Sequence, residues 1–443
     1  MNKKVGVFVS LGLVFLCFAM WGFAGSLTNP MVKAFSKIFQ MSTTDGILVQ
    51  VAYSAGYFVM ALPAALFIRR YSYKMGLVLG LFLFATGAFL FLPASIMGYY
   101  YPFLFAYFVL TCGLSFLETS ANPYILTMGD SRQGVLRLNI AQSFNPVGCL
   151  LGIVAAKEFI IERLSPLSAE DRSSLSMAEL KDIKMSDLEI LSTPYIWLGL
   201  VVLVMGLLLL VLPLQSSEKK GERNKLHLVG TLKRLMIAPG YKSGFFAQFF
   251  YVGAQVMCWT FIIQYGTNLF VGQGYSETEA ESMSLNYHML AMILFCAFRF
   301  ICTGLMKWTS ASKLLAIFAL LAIVLTGFVI FSDGIIGLYC LVGISACMSL
   351  MFPTIYGLSL RGLNAEDAKI GAVGQVMAIV GGSVLPPLQA IIIDTGDFGT
   401  MAGVNASFII PALCFMVVMF FGVQSRMREK DSLIDIIGVQ DDE

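Results

Sequence analysis

Apolar runs of about 20 residues recur along the whole chain, and each is long enough to cross a bilayer core as a helix. Lipid offers no partners to backbone amides and carbonyls, so only helices and closed barrels can span it. Barrel strands are about ten residues long and alternate apolar with polar side chains, whereas these runs are longer and do not alternate. The chain is 58% hydrophobic and 13% charged, and a soluble fold could not bury so much apolar surface. We therefore predict an all-α membrane protein.

Hydropathy and helix-breaking residues predict twelve transmembrane helices in two sets of six. The first set covers residues 5–27, 45–68, 75–94, 102–127, 138–161 and 194–213. The second set covers residues 243–270, 284–306, 312–331, 335–358, 371–393 and 404–423. Residues 1–214 would form an N-terminal six-helix bundle, 215–242 a charged cytoplasmic linker, and 243–443 a C-terminal bundle with a short cytoplasmic tail. This layout predicts the major facilitator fold of two pseudo-symmetric six-helix bundles.

The placement of lysine and arginine predicts the orientation of these helices. With both termini in the cytoplasm, most basic residues fall in inside segments, including residues 3–4, 69–74 and the linker. Outside segments hold Lys33, Lys37 and the 157–184 loop, where acidic residues offset the basic ones. The first apolar stretch continues past Trp21 without a signal-peptide cleavage site, so we expect it to be retained. We predict a multi-pass protein of the cell inner membrane with both termini cytoplasmic.

The sequence offers no features of an enzyme or an ATP-driven pump. All nine cysteines lie in predicted helices, and none forms a C-x-x-C pair with metal-site spacing. There is no nucleotide motif and no soluble catalytic domain, so we expect no enzymatic activity, no cofactor and no metal. The expected partners are the lipid bilayer and a small molecule rather than nucleic acid, and we expect a monomer.

Polar residues inside the predicted helices are the candidate functional groups, because charges are expensive in lipid. Glu118 is the acid near the middle of the fourth helix. Burial disfavours the charged form of a carboxylate, so Glu118 can exchange a proton or bind a substrate hydroxyl, or it can tie two helices together as a neutral acid. Asn122 follows one turn later, and the fifth helix carries Asn139, Gln142 and Asn145 at spacings of three residues, largely on one face.

Neutral amides suit sugar hydroxyls because they offer donors and acceptors without net charge, although they also hold helices together in lipid. This argument favours a sugar contact for Gln142 and Asn145 and leaves both roles open for Asn139. In the seventh helix, Gln255 and Trp259 are four residues apart, and an aromatic ring beside an amide fits a pyranose. Arg299, deep in the eighth helix, is a candidate for gating or structure. These residues favour a secondary transporter of a neutral sugar.

Several segments together make the chain resemble a known family over about residues 15 to 423. They are Leu117-Glu-Thr-Ser-Ala-Asn-Pro123, Arg137-Leu-Asn-Ile-Ala-Gln-Ser-Phe-Asn145, Tyr251-Val-Gly-Ala-Gln255 with Trp259, and Phe352-Pro-Thr354. With them, the sequence resembles the fucose–galactose–glucose:proton symporter family of the major facilitator superfamily. The resemblance implies proton-driven import of a neutral monosaccharide by alternating access, with L-fucose as the first expected substrate and galactose or glucose as alternatives. It also implies that Glu118 recognises substrate and couples the proton, and that Gln142 and Asn145 face the substrate.

The first predicted helix departs from the family pattern. The family reads Asn-Leu-Asn-Asp there, with the Asp as a second coupling carboxylate, whereas this chain reads Ser26-Leu-Thr-Asn29. Asn29 can bind a sugar hydroxyl but cannot exchange a proton. Coupling could then rest on Glu118 alone, use another ion, or be absent in a facilitator. A sugar sensor that does not transport is a more remote alternative.

Overall fold

The structure is a computed structural model that describes residues 3–41, 48–128, 133–161, 163–165, 172, 175–214, 228–332, 334–396 and 402–438. Within these ranges every regular element is helical. Twelve helical segments of the described chain are long and apolar enough to cross a membrane. The predicted all-α class and the predicted number of membrane helices are therefore confirmed.

The helices are numbered in chain order. The earlier ones are α1 Lys3–Phe39, α2 Leu48–Arg70, α3 Tyr73–Phe89, α4 Phe91–Met97, α5 Tyr100–Thr127, α6 Gly134–Gln142, α7 Phe144–Ala156 with a π-helical turn Lys157–Ile161, and α8 Met177–Val211. The later ones are α9 Leu228–Ile237, α10 Pro239–Gly272, α11 Glu277–Leu305, α12 Ala311–Phe331, α13 Ile335–Met348, α14 Met351–Leu360, α15 Ala365–Met377, a 3-10 turn Ala378–Val380, α16 Gly381–Val384, α17 Pro386–Asp394, α18 Gly403–Ser407 and α19 Ile409–Gly438.

Two helices are longer than hydropathy predicts. α1 has 37 residues and α8 has 35, so each is over 50 Å long at about 1.5 Å per residue, against about 30 Å of hydrocarbon. The sequence pattern left residues 177–193 outside the sixth membrane helix. They are helical because Ser176 and Glu179 form a capping box, in which the Ser176 amide and the Glu179 carboxylate bond at 3.1 Å.

The described contacts divide the chain into two compact units. Unit 1 comprises residues 1–127 and 144–224, and unit 2 comprises residues 128–143 and 225–443. The sequence pattern groups residues 128–143 with the N-terminal bundle, but α6 packs within unit 2. It does so partly through Asn139, whose Nδ2 donates to Thr354 Oγ1 of α14 at 3.3 Å. The fifth predicted helix is thus shared between the two units.

Close helix packing positions the polar residues of unit 1. α1 and α7 approach so tightly that a Cβ added at Gly148 would lie 1.8 Å from the carbonyl oxygen of Ala19. Small residues allow such approach in lipid, where dispersion contacts and interhelical hydrogen bonds hold helices together.

In unit 2, buried apolar residues of α10 to α14 and α19 form one cluster. Tyr251 lies inside that cluster and donates to Met348 O at 3.0 Å.

Candidate functional site

Glu118 lies in the most deeply buried part of α5. Every residue from 110 to 125 is buried, and Glu118 itself is 0% exposed. One turn earlier, Ser115 Oγ donates to Tyr57 O at 3.1 Å and ties α5 to α2. Neither carboxyl oxygen of Glu118 has a hydrogen-bond partner among the described residues. A buried carboxyl in this state retains its full capacity to bind a proton or to bond a ligand hydroxyl.

Two tyrosines of α2 lie close enough to Glu118 to interact with its carboxyl group. Tyr53 and Tyr57 both interact electrostatically with its carboxyl group, and their ring centroids are 5.5 Å apart. A Cβ added at Gly25 would lie 3.3 Å from the Tyr53 hydroxyl, so this hydroxyl also borders α1. Sequence reasoning missed the pair. The available signal was two tyrosines four residues apart in one apolar run, which places them on one helix face.

The neighbours predicted along with Glu118 are only partly described. Asn122 lies one turn after Glu118 in α5 and is fully buried. The side chain of Asn29 lies outside the described residues, so its predicted role as a sugar ligand stays a prediction. α1 continues through this position, and Gly25, one turn earlier, borders Tyr53.

The three amides of the fifth predicted helix are distributed over two consecutive helical segments. A turn at Ser143 separates α6 from α7, with the Ser143 hydroxyl bonded to Asn139 O at 2.8 Å. Proline at position 146 lacks an amide hydrogen and constrains the residue before it, which favours this interruption. Gln142 therefore lies in unit 2 and Asn145 in unit 1. The predicted common face of the three amides stays a prediction.

Each of these amides has its own environment. Asn139 Nδ2 donates to Val135 O at 3.0 Å in addition to Thr354, an arrangement suited to holding α6 in place. Asn145 Nδ2 donates to Phe18 O of α1 at 3.3 Å and remains half-buried. Gln142 is 3% exposed.

Unit 2 carries a polar and aromatic patch on α10. The indole Nε1 of Trp259 donates to Ser345 Oγ of α13 at 3.2 Å. One turn before it, Gln255 is half-buried, and its side chain interacts with the hydroxyl of Tyr251. Gln255 and Trp259 thus have polar neighbours in α10 and α13, and their sugar contact stays a prediction.

Arg299 belongs to the same patch. Its guanidinium carbon lies 5.1 Å from the centroid of the Phe295 ring, which meets Trp259 edge-on at 5.0 Å and 87°. Arg299 is 3% exposed and interacts electrostatically with Tyr251. A cation held over an aromatic face is stabilised by the ring quadrupole. We interpret Arg299 as an anchor for the aromatic side chains beside it, in line with the predicted structural or gating role.

No metal centre is found in the part of the chain that the structure describes. No three His, Cys, Asp or Glu side chains come together there with the geometry of a metal site. None of the nine cysteines forms a disulfide, and seven of them are buried. The polar groups around Glu118 in unit 1 can form hydrogen bonds and exchange a proton at the carboxyl. The α10 patch in unit 2 can form hydrogen bonds through its amide and can stack a ligand on the Trp259 indole.

A polytopic helical chain with these buried polar groups has the features of a secondary transporter. The family model described as Major Facilitator Superfamily matches residues 14–386, and the chain belongs to this superfamily. The predicted fold and the predicted family membership are thereby confirmed.

The similar proteins narrow the class further. An L-fucose-proton symporter of Haemophilus influenzae is 43% identical over 433 residues, covering 96% of this chain and 99% of that protein. An L-fucose-proton symporter of Escherichia coli is 32% identical and covers 93% of this chain and 92% of its own length. A glucose/galactose transporter of Brucella abortus is 30% identical over 92% of both chains.

Solved structures of sugar transporters of the same superfamily also match this chain. The crystal structure of the Major Facilitator Superfamily transporter FucP in the outward conformation matches with a TM-score of 0.84 and 31% identity, over 95% of this chain and 99% of that one. The proton:xylose symporter XylE matches with a TM-score of 0.67 and 12% identity, over 96% of each chain. At that identity the second likeness concerns the fold alone.

Proposed function

We propose that this chain is a secondary active transporter that imports L-fucose by proton symport with alternating access. The observation that carries the proposal is Glu118, a fully buried carboxyl without a hydrogen-bond partner among the described residues. A carboxyl in that position suits reversible protonation coupled to substrate binding. The near-full-length similarity to two L-fucose-proton symporters supports the choice of both sugar and ion.

In unit 1, Glu118 acts as the proton-coupling group and bonds a sugar hydroxyl. Asn122 and Asn145 contribute amide contacts, and Asn29 adds a further one from α1. Tyr53 and Tyr57 keep the surroundings of the carboxyl polar through their hydroxyls. With Asn29 in place of an acid, this scheme rests the coupling on one carboxyl.

In unit 2, the indole of Trp259 stacks on the apolar face of the sugar while Gln255 and Gln142 take its hydroxyls. Arg299 supports the patch through Phe295. Asn139 holds α6 on α14 and does not contact the sugar.

The proton supplies enough energy for useful accumulation. One elementary charge that crosses 100 mV releases about 2.3 kcal/mol, which corresponds to about a 50-fold concentration ratio before any pH difference is added. The proposed setting is the cell inner membrane, with both termini in the cytoplasm and the single chain as the functional unit. The basic residues of the segments predicted to be inside support this orientation.

The test is uptake of radiolabelled L-fucose into proteoliposomes with and without an inward proton gradient. We expect accumulation that depends on the gradient and is lost in Glu118→Gln, which keeps the shape of the side chain but cannot release a proton. Glu189→Gln is the matched control, because it makes the same change at an exposed position of α8. It should accumulate sugar as the wild type does. Accumulation that survives in Glu118→Gln would refute the role of this carboxyl.

Other results point to the alternatives. Equilibration without accumulation would indicate a facilitator, as Asn29 suggests, and accumulation driven by a sodium gradient would indicate another coupling ion. A preference for glucose or galactose over L-fucose would follow the Brucella abortus relative instead. Binding of sugar without any movement would favour a sensor.

A further inference from the structure

Two glutamines of unit 2 lie outside the patch formed by Gln255 and Trp259. Gln248 of α10 and Gln375 of α15 are both 0% exposed. In each, the amide nitrogen and the amide oxygen have no hydrogen-bond partner among the described residues. Because an unsatisfied buried amide destabilises the folded state, two of them in one unit require an explanation.

The two glutamines lie on two helices that contact each other, α10 and α15. Tyr241 of α10 donates to Gly371 O of α15 at 3.0 Å, and a Cβ added at Gly374 would lie 1.9 Å from the Tyr241 hydroxyl and 3.6 Å from the Phe245 ring. Gln375 follows Gly374 directly, and Gln248 is three residues beyond Phe245. A Cβ added at Gly381 would lie 2.1 Å from the backbone oxygen of Phe249. Counted back from that contact at about 1.5 Å per residue, the Cα levels of Gln248 and Gln375 differ by about 8 Å along the helices.

Gln248 also continues the polar face of α10. Gln248, Tyr251, Gln255 and Trp259 are separated by three, four and four residues, which places all four on one side of the helix. The face extends for about 16 Å from Trp259 to Gln248. It ends toward the beginning of α10, at the end of the unit where Tyr241 meets α15.

We propose that Gln248 and Gln375 form a second sugar-binding site in unit 2, which receives the monosaccharide after it leaves Gln255 and Trp259. This inference rests on the proposed transport function and extends it. Two carboxamides offer donors and acceptors but no net charge, which matches the hydroxyls of a neutral sugar. With the termini in the cytoplasm, the site lies toward the cytoplasmic ends of α10 and of the predicted span 371–393, and it serves release.

The experiment compares Gln248→Met and Gln375→Met with the wild type in right-side-out and inside-out membrane vesicles. We expect the half-saturation concentration of L-fucose at the cytoplasmic face to rise about tenfold, as loss of one good hydrogen bond implies. The value at the external face should change by less than about twofold, because the Gln255 and Trp259 patch is intact. Gln248→Asn, which shortens but keeps the amide, should fall between methionine and wild type.

Thermal unfolding of the purified variants separates this role from a structural one. Methionine has a similar volume and no polar atoms, so each variant should be as stable as the wild type or more stable. Gln389→Met is the matched control, because Gln389 is equally buried but donates to Ser407 Oγ at 3.0 Å. That variant should melt at a lower temperature.

The possible outcomes distinguish failure of the second site from failure of the proposed transport function. Unchanged half-saturation at the cytoplasmic face in both methionine variants would overturn the second site while leaving the proposed function standing. A loss of stability equal to that of Gln389→Met would also overturn it, since the amides would then have structural partners. A wild-type protein that moves no sugar would refute the proposed function itself.

Discussion

The ion pair between Arg172 and Asp187 in unit 1 allows a stability effect to be worked out from the structure. Arg172 Nη2 lies 2.6 Å from Asp187 Oδ2, and the two side chains are 0% and 2% exposed. The other carboxylate oxygen of Asp187 accepts from the amide of Ser165 at 2.9 Å. Asp187 therefore joins the segment before α8 to the helix itself through one buried and one partly buried bond.

Asp187→Asn should be strongly destabilising. The substitution removes the negative charge that the buried guanidinium contacts at 2.6 Å. It also turns an amide N–H toward either the Arg172 guanidinium or the Ser165 amide, which are both donors. Breaking a buried pair from one side costs about 3–5 kcal/mol. At about 2–4 °C per kcal/mol for a domain of 150–250 residues, the melting temperature should fall by about 6–20 °C.

The assay is thermal unfolding of the purified protein in detergent. Arg361→Gln is the contrast, because Arg361 bonds Glu429 with side chains 49% and 20% exposed, and such pairs contribute about 0–1 kcal/mol. The double variant Arg172→Met with Asp187→Leu removes both charges and should recover most of the loss. A melting temperature of Asp187→Asn no lower than that of Arg361→Gln would refute the reasoning.

Two further changes test the α10 patch and the start of α11. Trp259→Phe removes the N–H that donates to Ser345 while keeping a ring beside Phe295; we expect the half-saturation concentration for uptake to rise about three- to tenfold, and unchanged uptake would contradict the assignment. Ser276→Ala removes the N-cap of α11, at a cost of about 0.5–2 kcal/mol in unfolding experiments. Bonds from Ser276 hold the pKa of Glu279 below its usual value. The ionised Glu279 carboxylate therefore stabilises the folded state at neutral pH, and this contribution is lost as the pH falls through the lowered pKa. The variant should lose that part of the pH dependence, and an unchanged profile would count against the capping box.

The position of Arg299 shows how the structure changes the meaning of a residue found by sequence. Its type and depth in an apolar run marked it as unusual, but its neighbours were unknown. The structure places it over Phe295, which packs against Trp259. An isolated cation thus becomes part of an aromatic stack that includes a predicted sugar contact.

The polar residues of the fifth predicted helix were expected to act together, and the structure gives them separate partners. Their regular spacing suggested one common role, yet the division into compact units puts Asn139 and Gln142 in unit 2 and Asn145 in unit 1. Asn139 is engaged with Thr354 and Asn145 with the backbone of Phe18. These partners lie 215 and 127 residues away along the chain, so no local pattern could reveal them.

The sequence by itself determined the class of this protein, because crossing lipid depends on local quantities. About 20 apolar residues in a row must form a helix, so the twelve membrane helices and the buried position of Glu118 could be predicted. Only the tertiary structure decided which polar groups have partners. Glu118, Gln248 and Gln375 are left without hydrogen bonds among the described residues, whereas Trp259 and Asn139 are bonded. The physical reason is that a hydrogen bond requires two atoms within about 3.5 Å, and helices distant in the sequence bring those atoms together.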